Sequence, residues 1–511
     1  GEATQPATWE NLSWEKDTSP VTFSAYIDYD WYAVDTWGND DVSKEITRLT
    51  GVSLDVYKSS DRQQLMTQLA AMELSDLTFT DNMPQRFEDP DICYPWDELI
   101  EQYCPEFWDL VDPLEKINNQ AADGHVYTFK THYKDDADYN DEKAVGNFVN
   151  AAIGYRADIM DKLDLPMFTS VEEMEETFYT VKEKSADVGI DIVFNMHPSW
   201  AEILSYWMGA QQGNYWDAEA KSIKMKYNDT AWLEYYKLLN KWYRDGILAK
   251  DYLAVRPEDF FARNASGSVF AMSYNWGIPS ETNNTMREAG TGGHFDDLTK
   301  PVFDLVVGPL TYKGENNLVK TATDYGAGWS SLFIAKSCEN PGRAINYAEF
   351  LKSPQGDRLC QWGIEGTHYT MVDGYPKTTA ETAGRTTAEH GIGPWYFQGS
   401  DRSEGIKSAA ALVSWDSSKY PEDAKHEAEQ KVADRKIKKE ACRQNKNPAM
   451  SFARIENTDE EMGMYTKINE EWTKAVANMV SAESEAAVEA AWNDFQSYAA
   501  DAGLAQVEAK M

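Results

Sequence analysis

The sequence predicts an α/β fold divided into at least two lobes. The chain has 511 residues, more than one small hydrophobic core accommodates. Residues 20–82 alternate strand signals with helix signals, which is typical of a parallel sheet with right-handed helical crossovers. A second unit begins near residue 150, where the strand pattern of residues 151–155 is followed by further helix signals. Chain length and the strand–helix alternation together indicate the fold class.

The first predicted strand ends in the most informative loop of the sequence. The apolar residues between Val21 and Ile27 recur at every second position, as they do in a strand. Ligands of open α/β sheets bind outside the carboxyl ends of the strands, and aromatic rings mixed with carboxylates suit a sugar. The alternative is that the rings only cover the edge of the sheet. The loop contains Asp28, Tyr29, Asp30, Trp31, Tyr32, Asp35, Trp37 and Asn39.

The next two predicted strands end in polar tips as well. A helix face runs from Val42 to Leu49 and ends at Gly51. Further elements are a strand over Val52–Val56, a helix capped by Ser60 with Leu65, Leu69 and Met72 on one face, and a strand over Leu77–Phe79. In a parallel sheet, the tips at Ser59–Asp61 and Asp81-Asn82 then lie at the same edge as the first loop.

The rest of the chain contains more predicted elements. Thr169-Ser170-Val171-Glu172 predicts a capping box at the start of a helix. An apolar stripe through Trp232 and Leu239 predicts a helix face in the core. Predicted over numbered stretches are helices near 200–212 and 230–245, a strand at 269–272, a loop at 280–300, a strand at 332–334, a helix from 340 and mostly helical structure over 400–511.

The charge of the chain restricts its partners. There are 48 Lys and Arg against 85 Asp and Glu, a formal charge of −37. Such an excess of negative charge disfavours nucleic acid, and it equally disfavours anionic membranes and polyanionic substrates. No stretch approaches the ~18 consecutive apolar residues of a membrane span. A neutral or cationic ligand is expected.

Cysteine usage indicates no disulfide scaffold and no zinc site. Five cysteines are spread over the whole chain, without the close spacing that either feature requires. A Cys93–Cys104 disulfide and two free buried thiols both remain open.

Five segments, in order, resemble one family of transport proteins. They are Ile46-Thr47-Arg48-Leu49-Thr50-Gly51-Val52, Asp123-Gly124-His125-Val126-Tyr127, Tyr155 to Pro166, Ser337-Cys338-Glu339-Asn340-Pro341, and Trp362-Gly363-Ile364-Glu365-Gly366-Thr367-His368-Tyr369. With these segments the chain resembles the extracellular solute-binding proteins of ABC importers, in the large sugar-binding branch found on Gram-positive cells. The resemblance spans about residues 20–511.

The resemblance implies a type II periplasmic-binding-protein-like fold, in which a sheet flanked by helices forms each lobe and crossing strands form a hinge. Lobe 1 is expected over 20–145 plus about 330–375, and lobe 2 over about 146–329 plus 376–511. Residues 1–19 are expected to be a flexible tether. The resemblance further implies a secreted, monomeric protein without a cofactor, anchored to the cell surface by lipid on an N-terminal cysteine expected to lie outside this sequence.

Some relatives carry a calcium loop after the helix near residues 170–185. The corresponding stretch, Ser185 to Asp191, lacks the spacing of oxygen ligands that calcium requires. No calcium is expected there, and the sequence predicts no other metal site.

The ligand-binding residues are expected to come from both lobes, because a sugar offers both ring faces and hydroxyl groups. Trp276 follows an apolar strand, and we expect Trp276→Ala to abolish oligosaccharide binding without unfolding. Trp329 is expected near the second hinge crossing, and Glu365 in the best-matching segment. The other candidates are Asp30, Trp31, Trp37, Asp61, Asp81 and Asn82 in lobe 1, and Trp207, Trp216, Tyr274 and Trp395 in lobe 2.

Three functions are open at this point. The first is a binding protein that captures an oligosaccharide between the lobes and delivers it to an ABC permease. The second is a glycoside hydrolase, which needs two carboxyl groups at a defined separation, one with a raised pKa. The loop acids Asp28, Asp30 and Asp35 offer no reason for such asymmetry, so no catalytic residue is predicted. The third is a protein that binds peptides or cationic ligands.

Overall fold

The computed structural model divides into two compact units, each built from two stretches of chain. The first unit comprises Gly1–Gly146 and Gly326–Lys419, and the second Asn147–Tyr325 and Tyr420–Met511. The residues that the structure describes are 11–29, 32, 36–59, 61–131, 151–197, 203–211, 213–275, 278–293, 302–306, 308–321, 328–372, 375–379, 390–393, 395, 450, 453, 455 and 460–511.

The first unit contains a four-stranded sheet. Its strands are β1 (Val21–Ile27), β2 (Val52–Lys58), β3 (Leu77–Thr80) and β10 (Ser331–Ile334). They lie in the order β10-β3-β1-β2. β1 is parallel to both β2 and β3, as the strand–helix alternation predicts, whereas β10 is antiparallel to β3. A separate ribbon pairs β11 (Tyr369–Val372) with β12 (Tyr375–Thr378).

Helices cover both faces of this sheet. Because side chains alternate along β1, Phe23 and Ile27 join one core cluster while Tyr26 joins another. The helices are α1 (Asp41–Thr50), α2 (Arg62–Ala71), α3 (Trp96–Tyr103), α4 (Pro113–Asn118), α13 (Pro341–Lys352) and α14 (Pro354–Trp362), with 3₁₀ turns at Ser13–Lys16, Pro84–Arg86 and Pro105–Leu110.

Helix α1 ends where the sequence predicts. Val42 and Ile46 are buried on one face of the helix. Gly51 follows with φ +74°, and a Cβ there would lie 2.2 Å from the backbone oxygen of Thr18. Glycine is therefore required at this position both by conformation and by space.

The second unit contains its own four-stranded sheet. Its strands are β4 (Ala151–Arg156), β5 (Ile192–Met196), β8 (Val269–Asn275) and β9 (Phe303–Leu305). They lie in the order β5-β8-β4-β9. β5 and β8 are parallel, and β4 is antiparallel to β8 and to β9. β6 (Tyr215–Asp217) and β7 (Ser222–Lys224) form a hairpin.

Helices surround the second sheet and form a bundle at the end of the chain. Trp232 and Leu239 on α9 (Ala231–Asp245) are buried, which confirms the predicted core face. The helices are α5 (Ala157–Leu163), α6 (Val171–Glu183), α7 (Ser185–Val188), α8 (Ile203–Trp207), α9 (Ala231–Asp245), α10 (Pro257–Ala265), α11 (Ile278–Ala289), α12 (Leu318–Thr321), α15 (Glu461–Ser481), α16 (Glu485–Asp501) and α17 (Leu504–Lys510), with a 3₁₀ turn at Lys226–Asn228. Within the described part of the chain, no helix combines the length and apolar character needed to cross a bilayer.

Two predicted elements differ from the structure. The predicted loop at 280–300 begins with helix α11, because Met286 packs in the core and the Asn283 side chain bonds both the N–H and the C=O of Phe303. The helix expected to be capped by Ser60 is capped by Asp61, which accepts from the N–H of Gln64.

The position of Trp395 also differs from the expectation. The sequence assigns it to lobe 2, but Trp395 is fully buried in a core cluster of the first unit. Cys93 and Cys104 are free, buried thiols, and burial raises the pKa of both.

Candidate functional site

The carboxyl edge of the first sheet gathers the ends of four strands. β1, β2 and β3 run in parallel and lead into Asp28, Ser59 and Asp81 respectively. β10 runs the other way and pairs Ser331 with Thr80, so the residues before β10 lie at this edge too. The predicted convergence of the strand tips in this unit is therefore present.

Asp28 stabilises this edge from inside the protein and does not face solvent. It is 2% exposed, and its Oδ2 accepts a 2.7 Å hydrogen bond from Thr80 Oγ1. Thr80 Oγ1 in turn accepts from the N–H of Asn82 at 2.9 Å. These bonds tie the end of β1 to the end of β3. Asn82, a predicted ligand residue, is itself buried by this arrangement.

Trp329 is an exposed aromatic residue at this edge. Its side chain is 40% exposed, and its ring meets Tyr29 edge-on at 5.4 Å. The Tyr29 hydroxyl lies 2.6 Å from Ser330 Oγ, and the N–H of Trp329 donates to the oxygen of Thr131. The indole is thus held by buried neighbours while one part of it faces solvent, as a stacking surface for a sugar requires.

The acidic candidates at this edge have different surroundings. Asp61 is exposed and caps α2 through the N–H of Gln64. Asp81 is partly buried directly after β3. Asp61 therefore has a structural task, and Asp81 lies at the carboxyl end of its strand.

Trp37 and Trp395 meet each other at 4.8 Å between ring centroids. Trp37 Nε1 donates to Thr47 Oγ1, and Trp395 Nε1 donates to the buried Asp40 at 2.9 Å. Trp395 is predicted to bind ligand from lobe 2, but it lies in the core of the first unit and packs against the base of the β1–α1 loop.

In the second unit, Tyr274 belongs to an aromatic group at the carboxyl ends of β5 and β8. Its ring lies 4.7 Å from His197, which follows β5, and 5.4 Å from Phe261 on α10. Phe260 packs beneath the Phe261 ring, and Phe261 is 37% exposed. Burial lowers the pKa of His197, which favours the neutral imidazole. We refer to His197, Phe261 and Tyr274 as the aromatic platform.

Sequence reasoning missed His197 and Phe261. The signal for His197 is the short apolar run Ile192–Met196, which stops directly before it. Phe260 and Phe261 are adjacent on a helix, so one ring faces inward and the other outward. The sequence alone does not say which of the two faces outward.

Three further candidates lie on other elements. Trp207 is buried, and its ring packs against Gly308. Trp216 is 40% exposed, but it lies on the β6–β7 hairpin. Glu365 is exposed beside a hollow of about 590 Å³ that Trp14 and Leu49 also line. The remaining candidates, Asp30, Trp31 and Trp276, lie outside the described residues.

One group in the described part of the chain has the side chains of a metal site. Asp41, at the start of α1, lies with its carboxylate 3.1 Å from His390 Nδ1 and 3.4 Å from His368 Nε2. Yet the N–H of Ile364 donates to His368 Nδ1 at 3.0 Å, so neutral His368 carries its proton on Nε2, towards Asp41. A metal-bound histidine has the opposite arrangement, a bare nitrogen towards the ion and an N–H on the other side. The hydrogen bonds therefore do not fit a metal.

Solved structures share the fold over nearly the whole chain. An alginate-binding protein, AlgQ2, solved without calcium ion, has 18% sequence identity and a TM-score of 0.66, with 96% of this chain and 97% of that chain covered. The S. pneumoniae ABC-transporter substrate binding protein FusA in complex with kestose has 14% identity and a TM-score of 0.67, with 96% and 97% covered. An extracellular solute-binding protein from Bifidobacterium longum subsp. infantis has 11% identity and a TM-score of 0.64, with 96% of each chain covered.

These similarities confirm the predicted fold, a mixed α/β architecture shared with the solute-binding proteins. No known family profile matches the sequence, and neither does any curated protein.

Proposed function

We propose that the chain is the extracellular substrate-binding protein of an ABC importer, which captures an oligosaccharide and delivers it to the permease. The observation that carries this proposal is Trp329, an exposed ring held at the carboxyl edge of the first sheet with Asp81 at the same edge. An indole face and a carboxylate are the groups that pair with the C–H face and the hydroxyl groups of a sugar.

The second unit supports the same ligand class. Its aromatic platform also lies at the carboxyl ends of parallel strands, and Phe261 presents an exposed ring there. Solved structures of an alginate-binding protein and of FusA in complex with kestose share the fold. We infer that both the Trp329 edge and the platform contact sugar.

The surroundings of the described carboxylates favour binding of the sugar without catalysis. Hydrolysis of a glycosidic bond needs two carboxyl groups flanking that bond. Asp28 is buried against Thr80, and Asp61 caps a helix. Both of these acids thus have structural tasks.

The negative net charge of the chain favours a neutral sugar over an anionic one. The formal charge of −37 repels a polyanion. We further propose that the protein is a monomer tethered to a Gram-positive cell surface by an N-terminal lipid anchor, so that it meets the membrane only through that anchor.

Calorimetry against a glycan panel tests the proposal. The panel contains neutral fructo-, malto-, xylo- and manno-oligosaccharides, one oligouronate and one lysine-rich peptide, and each mixture is analysed for reaction products afterwards. We expect a neutral oligosaccharide to bind without turnover. Trp329→Ala should weaken its affinity by roughly 10- to 100-fold, the usual cost of removing a central aromatic contact.

Tyr103→Ala is the matched control, because Tyr103 is 39% exposed but packs against Gly342 at the start of α13, the helix that follows the opposite end of β10. The affinity of this control variant for the oligosaccharide should equal that of the wild type. Product formation would support the hydrolase, and binding of the peptide alone would support a peptide-binding protein. Equal affinities of the Trp329→Ala and wild-type proteins would remove Trp329 from the site.

A further inference from the structure

Asp41, His368 and His390 come from three separate parts of the first unit and meet at the start of α1. We refer to them as the carboxylate–histidine cluster. The His368 side chain is 1% exposed, that of His390 is 19% exposed and that of Asp41 is 45% exposed. The two imidazole rings lie 4.8 Å apart. The cluster therefore joins one buried and one accessible histidine to a shared carboxylate.

The hydrogen bond between His390 and Asp41 fits a neutral imidazole. A carboxylate only accepts hydrogen bonds, so the Nδ1 of neutral His390 carries the proton that faces Asp41. This hydrogen bond is the largest cause of the lowered pKa of Asp41.

A proton added to His368 does not fit. Neutral His368 already carries a proton on Nε2, so a further proton can add only at Nδ1. That nitrogen accepts the N–H of Ile364, and two N–H groups cannot occupy the same hydrogen bond. The added charge is also buried, which opposes it.

Other ionisable groups of the described chain surround the cluster without relieving this conflict. Asp40 is engaged by Trp395 and by Ser43. Lys44 lies on α1 and adds positive charge. Cys360 on α14 is a buried thiol with a strongly raised pKa, so it supplies no charge.

We propose that the carboxylate–histidine cluster is an acid-operated clamp: uptake of a proton by His368 breaks the hydrogen bond from Ile364 and releases the turn Gly363–Thr367 from the start of α1. At neutral pH the clamp is closed, because His368 is neutral and its Nδ1 accepts the hydrogen bond from the N–H of Ile364. In mild acid it opens.

The clamp lies at the base of the loop between β1 and α1. Trp37 in that loop packs on Trp395, and Trp395 is held by Asp40, the neighbour of Asp41. Opening the clamp therefore loosens the support of this loop. If the loop binds sugar, a step that rests on the proposed function, acid also weakens sugar binding.

Hydrogen exchange of the ligand-free protein tests the clamp independently of any sugar. Amide exchange is followed by mass spectrometry at about pH 7.5 and about pH 5, corrected for the intrinsic pH dependence, in the peptide that contains Ile364. We expect protection at Ile364 to fall by roughly tenfold in acid. A peptide from α6, distant in sequence and without histidine, reports any general loosening of the protein.

Two asparagine variants identify the responsible histidine. His368→Asn retains an acceptor near the Nδ1 position but cannot titrate, so its Ile364 protection should stay constant between the two pH values. His390→Asn retains a donor to Asp41 and leaves His368 in place, so its acid response should persist.

Three results overturn the clamp: constant protection in the wild type, an acid response that survives in His368→Asn, or a loss of protection equally large in the α6 peptide. Addition of Zn²⁺ supplies a further check. A rise in Tm with Zn²⁺ that is absent in His390→Asn would make the cluster a metal site instead. The exchange experiment contains no sugar. A result that contradicts the clamp therefore does not contradict the proposed function, and a protein that binds no sugar could still contain the clamp.

Discussion

At the residue scale, Glu349 holds the beginning of the described chain in place. Its carboxylate accepts from the N–H of Trp14 at 2.7 Å and from the N–H of Ser13 at 3.3 Å. The side chain is fully buried on α13, and burial raises its pKa from 4.5 to about 7. Two backbone hydrogen bonds are thus obtained at the cost of burying a carboxylate.

This raised pKa predicts a pH dependence of stability. Between about pH 4.5 and about pH 7 the folded protein binds the proton of Glu349 more tightly than the unfolded chain does, so stability falls as the pH rises through this window. Glu349→Gln cannot ionise. Its Tm relative to that of the wild type should therefore rise by roughly 2–4 °C between about pH 5 and about pH 8 in calorimetry.

Glu106→Gln is the control for this prediction. Glu106 lies beside the same turn, and hydrogen bonds, first from its own backbone and then from Ser13, lower its pKa. Its contribution is lost only as the pH falls below the usual range of a glutamate, so the Tm difference should stay flat from about pH 5 to about pH 8. A flat profile for Glu349→Gln as well would show that the carboxylate is not desolvated in solution.

The residue scale is also where the sequence predicts least. Position at a strand end correctly places Asp81 at the common edge, whereas Trp329, expected near the second hinge crossing, precedes β10 at that edge. The same reasoning cannot tell that Trp395 packs inward, because its partners Trp37 and Asp40 are more than 350 residues away in sequence. Side-chain direction outside regular elements depends on such distant contacts.

At the scale of elements, local capping chemistry positions helix α6 largely as the sequence predicts. Ser170 accepts from the N–H of Glu173, and Glu173 accepts from both the N–H and the hydroxyl of Thr169. The predicted box pairs Thr169 with Glu172. The structure shifts this box by one residue, because Ser170 is the N-cap and the acid must stand three residues after it.

Removing this cap should destabilise the second unit. Ser170→Ala loses the hydrogen bond to Glu173 at a cost of about 1 kcal/mol, which lowers the Tm of a unit of this size by roughly 2 °C. Thr230→Ala is the matched control. Thr230 is the N-cap of α9 but makes no capping hydrogen bond through its side chain, so its Tm should change little. Equal shifts for the two variants would contradict the role of the Ser170 hydroxyl.

Elements that depend on tertiary contacts are those that the sequence misses. Strands β1 to β3 and helix α1 follow from hydrophobic periodicity and from a glycine stop. Helix α11 does not, because its asparagine- and threonine-rich sequence favours turns. It is held by Asn283, whose side chain bonds the backbone of Phe303 on the neighbouring strand β9.

At the scale of the whole molecule, net charge and ligand chemistry are linked. The chain carries a formal charge of −37, which creates a long-range field that attracts cations and repels anions. A neutral oligosaccharide feels neither effect, since its recognition uses ring stacking and short hydrogen bonds. The electrostatic field of the chain therefore affects the solubility of the protein and its selection of partners more than its affinity for the oligosaccharide.

This separation predicts that sugar binding is nearly independent of salt. Calorimetry of the full chain with the neutral oligosaccharide identified in the panel, at about 20 mM and about 500 mM NaCl, should give affinities within roughly twofold of each other, because screening acts only on charges. A lysine-rich peptide is the control: any binding that it shows at low salt should disappear at high salt. A sugar affinity that fell by roughly tenfold with salt would mean that charge carries recognition. Ring stacking at Trp329 would then be a secondary contribution, and a cationic ligand would become the better assignment for the site.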